Sequence, residues 1–191
     1  MKAAGDLFLE KGFLKVSMRE IAARSNVGLS NIYNYFKSKD EIFCRVVGPA
    51  MKDFDRMLDE HHGRRGMDIM DMRDTTYLEY VVREYTDYIR RHRRLLTLLF
   101  FKAHGSSLEN YKKDFTTRAT TLVKEYFTKM KERHPQIDVD ISDFSIHMHT
   151  IWIFAMFEEL IVHDISPGEL EKVISEYLTM EVAGWRELMK I

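Results

Sequence analysis

Between residues 30 and 34, a hydroxyl, two amides and a phenol sit around one apolar side chain: Ser30, Asn31, Ile32, Tyr33 and Asn34. If the segment is helical, Ile32 and Phe36, four apart, share the face that packs inward, and the polar groups point out. Such a surface is poor material for a core. It suits the reading of base edges and the holding of phosphates, since an asparagine amide pairs two ways with adenine while hydroxyls and phenols donate to phosphate oxygens. Signatures of catalysis are sparse by comparison. No phosphate-cradling glycine loop and no H-E-x-x-H run occurs. His147 and His149 are two apart, hence on different faces of a helix, and Glu159 with His163 reads as a surface hydrogen bond. A helical di-iron carboxylate enzyme would need an E-x-x-H motif on each of two helices, and none is found. No catalytic residue, metal or cofactor is expected. A helical-bundle enzyme, or an adaptor that binds only protein, ranks behind nucleic-acid binding.

The elements that would carry this surface have physical markers. Ser17 and Glu20 fit a capping box, which starts a helix at about Met18. Ile21 and Ala22 supply its inner face, and Asn26 tolerates the left-handed conformation that ends it. Gly28 allows a sharp turn, and a second helix runs from Leu29 to about Phe36. Helix, short turn and a second helix with a polar outer face make a helix-turn-helix spanning about residues 17–36.

Gly12-Phe13, Ser17, Ile21-Ala22, Val27, Tyr33, Tyr35-Phe36 and Lys39 match, position by position, a pattern typical of one family. Over about its first 45 residues the sequence resembles the tetracycline-repressor-like (TetR) transcriptional regulators. Gly28 departs from the serine common there and is a weaker cap. The resemblance implies an all-α chain, with a three-helix DNA-binding unit at residues 1–45 and a helical effector-binding and dimerisation domain at 46–191. It implies a cytoplasmic homodimeric regulator, expected to be a repressor, that meets a palindromic double-stranded operator and answers to a small-molecule effector. Arg19, Leu29, Ser30 and Asn31 are expected at base edges, and Ser17, Tyr33, Tyr35 and Lys39 at phosphates. In the family the first helix begins several residues earlier, behind basic residues. Met1 falls at the family's first isoleucine, so the sequence reads either as starting late or as starting inside the natural chain, without a phosphate-contacting arm.

Charge agrees with this division. Residues 1–45 carry eight Lys or Arg against five acidic residues, a balance of +3, and the remainder carries −4. Cys44, the single cysteine, excludes a disulfide framework and lies among Ile42, Phe43, Val46 and Val47 as a structural thiol. The longest apolar run, Ile151 to Phe157, is too short to span a bilayer.

Ser38 and Glu41 form a second capping box, with Lys39 in the first turn of a helix that runs through Phe43, Val47, Met51, Phe54 and Leu58 and is interrupted by Pro49. His61 to Asp68 reads as a loop. A helix from Asp74 or Thr75 is expected to end near the basic run Arg90 to Arg94, followed by a separate apolar helix from Leu95 to His104. A long helix from Ser106 or Ser107 closes before Pro135, and two more occupy about residues 143–163 and 167–189. These last two carry apolar sets wider than one partner needs, so Ile174 is placed in their seam as a dimer contact, with a wholly intramolecular core as the alternative that periodicity leaves open. An effector pocket is expected from the resemblance among Met51, Phe54, Tyr77, Tyr85, Phe100, Phe101, Phe115 and Leu122, with Tyr88, His104, Arg118 and His147 as polar handles. The helix around Pro49 would link that pocket to the DNA-binding unit. A largely apolar, aromatic or amphipathic effector that releases DNA is the corresponding expectation.

Overall fold

The computed structural model describes residues 1–63, 66–163 and 165–191. Among them are eight α-helices and one short 3₁₀ helix: α1 (Lys2–Lys11), α2 (Met18–Ser25), α3 (Leu29–Tyr33), α4 (Lys39–His62), the 3₁₀ helix (Ile69–Arg73), α5 (Thr75–Phe101), α6 (Tyr111–Arg133), α7 (Asp143–Val162) and α8 (Pro167–Met189). The fold is all-α. Two compact units emerge, residues 1–54 with 92–112, and residues 55–91 with 113–191. α4 and α5 each contribute residues to both units.

Several boundaries differ from the sequence reading, for local reasons. Thr75 to Phe101 is one helix, not two. Arginine and leucine are both strong helix formers and no glycine or proline separates them, so Arg90–Arg94 lies mid-helix. α6 starts at Tyr111 rather than at Ser106 or Ser107, whose polar groups are spent elsewhere: Ser106 Oγ donates to the Ala103 carbonyl in a local turn at 2.6 Å, and the Ser107 N–H donates to Asp40 of α4 at 2.8 Å. α4 extends through His61 and His62, two residues beyond the start of the expected loop. Of that loop, Arg64 and Arg65 lie outside the described residues. Pro49 sits inside α4, where it removes one intrahelical hydrogen bond.

The first unit is built around three rings. Phe8 of α1, Phe13 of the α1–α2 turn and Phe43 of α4 meet with centroids 5.2 to 5.9 Å apart, and Phe8 and Phe43 are fully buried. The segment after α5 closes this unit. The Phe13 N–H donates to the Lys102 carbonyl at 2.9 Å, and Gly105, at φ +83°, lies where an added Cβ would come within 2.8 Å of Leu14.

The second unit has a core of Ile69, Val123, Tyr126, Phe127, Met130, Ile137, Ile146 and Met189. α7 is apolar on nearly all sides. Phe154 and Phe157 are fully buried, while Phe144, Trp152 and Val162 are exposed, Trp152 by 55%. On α8, Leu170, Ile174 and Leu178 face inward, with Ile174 at 0% exposure, and Met180 and Leu188 face outward. Ile174 is thus a core residue of its own chain rather than a seam residue. Periodicity locates an apolar stripe but does not say which partner covers it.

Candidate nucleic-acid interface and effector cavity

The helix-turn-helix forms as its caps dictate. The Glu20 N–H donates to Ser17 Oγ, and the Glu20 carboxylate accepts from both the Ser17 N–H and its hydroxyl at 2.8 Å. Hydrogen bonds from Lys11 and Ser17 hold the Glu20 carboxyl down at about 2. Asn26 closes α2 at φ 54°, and Gly28 opens α3 without a side-chain cap. Ile32 is buried, and Ser30, Asn31, Tyr33, Asn34 and Tyr35 are exposed, Tyr35 by 75%. Leu29 is half-buried at the same edge. Arg19 is exposed with no ion-pair partner among the described residues, whereas Arg24 is held by both oxygens of Glu10 at 3.0 and 2.9 Å.

Two of the eight residues assigned to DNA already have other partners. The Ser17 hydroxyl is committed to its capping box. Lys39 reaches back across the unit, where its ammonium donates to the carbonyls of Phe13 at 2.8 Å and Leu14 at 3.3 Å and lies 4.2 Å from the centre of the Phe13 ring. Burial lowers its pKa from the usual lysine value. Lys39→Met is therefore expected to lower unfolding free energy by about 1 kcal/mol in a urea melt. It should weaken all DNA sequences alike while leaving the salt slope of binding unchanged. A slope shallower by about one with unaltered stability would instead make Lys39 a phosphate ligand. Lys37 is an exposed cation beside the recognition helix that the sequence reading missed, since one exposed lysine looks like another until its neighbours are known.

The residues assigned to an effector are scattered. Met51, Phe54, Phe100, Phe101 and His104 belong to the first unit, where His104 is exposed and paired with Glu109 at 2.7 Å. In the second unit, Phe115 packs on Phe154, Tyr88 on Phe157, and the exposed Arg118 pairs with Asp55. His147 lies 3.3 Å from the Thr120 hydroxyl, and Leu122 is half-buried. Tyr77 and Tyr85 alone among the twelve line a cavity of about 70 Å³ within the second unit. The other walls include His61, His62, Val81, Phe127, His149, Glu181 and Trp185. His61 pairs with Glu84 at 2.7 Å, and His149 with Glu181 at 2.6 Å. Burial pushes the Glu181 carboxyl up, but bonds and charge from His149, with bonds from Tyr177 and Trp185, outweigh it and leave the group below its usual value.

His62 differs from these pairs. Its Nδ1 is buried without a hydrogen-bond partner among the described residues, and burial, with the charges of His61 and His149, lowers its pKa to about 3. The unfolded chain, with an ordinary histidine, then binds one more proton between pH 3 and the usual 6.5. Stability from this group is complete above pH 6.5 and falls as pH drops, by up to about 1.4 kcal/mol per pH unit. His62→Phe should flatten the acid limb of stability against pH in urea melts at pH 5 and 7. An unchanged limb would contradict the assigned shift.

Comparison with known proteins agrees with this geometry. The model of a family described as bacterial regulatory proteins, tetR family, matches residues 1–46. An uncharacterized HTH-type transcriptional regulator, YhgD, from Bacillus subtilis (strain 168) is 32% identical over 60 residues, a match that spans 31% of this chain and 31% of that relative. Among solved structures, a transcriptional regulator (TerR/AcrR family) from Aquifex aeolicus VF5 superposes with TM-score 0.63 at 17% identity, covering 94% of this chain and 95% of that one. The transcriptional regulator FadR from Bacillus subtilis, in complex with stearoyl-CoA, gives TM-score 0.60 at 16% identity, with 93% and 94% covered. At these identities the two structures speak for the fold alone. The exposed face of α3 thus lies within the segment, residues 1–46, that matches the helix-turn-helix of the tetR family of bacterial regulatory proteins.

Proposed function

We propose that the chain is a homodimeric, ligand-responsive regulator that binds a palindromic operator and, as a repressor, leaves it when an effector fills the second unit. The observation that carries this reading is the α3 surface. Ser30, Asn31 and Tyr33 are exposed around a buried Ile32, on a unit whose sequence matches the family. Arg19, Leu29, Ser30 and Asn31 face base edges, and Tyr33 and Tyr35 hold phosphates. Ser17 and Lys39 position these groups from behind. The dimer forms through the outward faces of α7 and α8. The effector reading draws support from the cavity of the second unit and, by analogy, from the FadR complex with stearoyl-CoA.

Asn31→Ala is expected to relax specificity at one position in each half-site, at a cost of about 1–3 kcal/mol on the preferred sequence. A loss spread evenly over all sequences would remove Asn31 from base readout. The effector arm is tested by reciprocity. A molecule that lowers operator affinity by some factor must itself be bound more weakly, by the same factor, in the presence of operator. A tight ligand of the second unit with no such coupling would overturn the effector reading.

A further inference from the structure

Three features of the second-unit cavity bear on the chemistry of its occupant. The first is the orphaned nitrogen. His62 is one of the cavity's lining residues, and its buried Nδ1 has no hydrogen-bond partner among the described residues. A buried polar atom left unpaired destabilises the folded chain, whereas an apolar ring of the same size would not. The second feature is charge. Among the described residues the acids near the cavity are already matched, Glu84 with His61 and Glu181 with His149, so these groups offer an ion no unspent counter-charge. An added carboxylate would meet the Glu181 oxygens, and an added cation would have to displace His149 from them. The third is the wall itself. Tyr77, Tyr85, Phe127 and Trp185 line it, with the rings of His149 and Trp185 4.8 Å apart and edge-on.

From this arrangement we infer that the second unit binds a compact, uncharged ring compound carrying one hydroxyl or carbonyl group, which pairs with His62 Nδ1 while the ring rests against the aromatic wall. The inference rests on the effector reading above and narrows it. Neutral imidazole serves either kind of group, because its two tautomers offer a donor or an acceptor at Nδ1. The pKa lowered to about 3 keeps that imidazole uncharged across the physiological range. The cavity, at about 70 Å³, is roughly half the ~150 Å³ that holds benzene in an apolar core. A single ring therefore enters by displacing a flexible wall residue such as Met72, and a long acyl chain does not fit.

The test uses the full chain and four probes of similar size: phenol, toluene, benzoate and benzyltrimethylammonium. Phenol is expected to raise the melting temperature more than toluene does, and the two ions to leave it unmoved. His62→Phe supplies the second arm. Without ligand it should melt higher than the parent chain, because the orphaned nitrogen is gone, and its response to phenol should fall to that for toluene. A lower melting temperature together with an intact phenol response would make His62 an ordinary structural residue and overturn the inference. A larger shift with either ion, or no shift with any probe, would overturn it as well. Adding operator DNA separates the two levels. Phenol that binds through His62 but leaves operator affinity unchanged upholds the ligand class and removes its regulatory role. A charged probe that binds and releases DNA removes the ligand class and upholds the regulation.

Discussion

Phe43→Ala is expected to cost about 3–5 kcal/mol and to abolish DNA binding, because it deletes the ring on which the first unit is assembled. Phe43 is fully buried, with its ring 5.2 Å from those of both Phe8 and Phe13. Phe13 in turn carries the ammonium of Lys39 over its face and fixes the α1–α2 turn through its N–H to Lys102. Loss of Phe43 thus removes the floor under the turn that orients α2 and α3. A urea melt would show the deficit directly. The same change at Phe144, which is 71% exposed, should fall within about 0.5 kcal/mol of the parent chain. A Phe43→Ala protein of parental stability would contradict the packing described.

Trp152→Glu combined with Met180→Glu is expected to yield a folded monomer that has lost operator affinity. Both side chains are exposed in the isolated chain, at 55% and 64%, so charges there stay hydrated and each copy keeps its fold, losing only the stability that association adds. On α7, Trp152, Ala155 and Val162 fall on one helical face, as Met180, Gly184 and Leu188 do on α8. If these faces join two copies, the double change splits the dimer, and each recognition helix binds without the gain in effective concentration that its twin provides. Ile174→Glu should behave differently. It buries an unpaired carboxylate inside the second unit and should cost about 4 kcal/mol or more, unfolding the unit. Sedimentation and thermal melting of the two variants separate interface from core. A double variant that sediments as a dimer would place the interface elsewhere.

What could be read in the sequence, and what could not, follows from the range of the interactions. The α2 boundaries were legible because Ser17, Glu20 and Asn26 act on backbone groups within four residues of themselves. The polar face of α3 was legible for the same reason, since Ile32 and Phe36 fix it by spacing alone. Lys39 was not. Its partners are carbonyls 25 and 26 residues away, and nothing local marks a lysine as bound to them. The cavity wall was missed for a similar reason. His61 and His62 stand beside two glycines and a charged run, which read as a loop, and their partners Glu84 and Tyr126 come from distant helices. Candidates such as Phe100, Phe101 and His104 were chosen because they were aromatic or polar. Composition does not say that they belong with the DNA-binding unit.

Under the proposed function, two copies of this chain read a DNA sequence together as a symmetric pair. The test is selection of binding sites by this chain from a random duplex pool. An inverted repeat is expected to be enriched, with half-sites one helical turn or a multiple of it apart and an affinity that falls steeply as salt is raised. The same selection with Asn31→Ala should return that repeat with one position in each half-site relaxed. A pool that shows no enriched sequence, or binding that is indifferent to salt, would contradict the account.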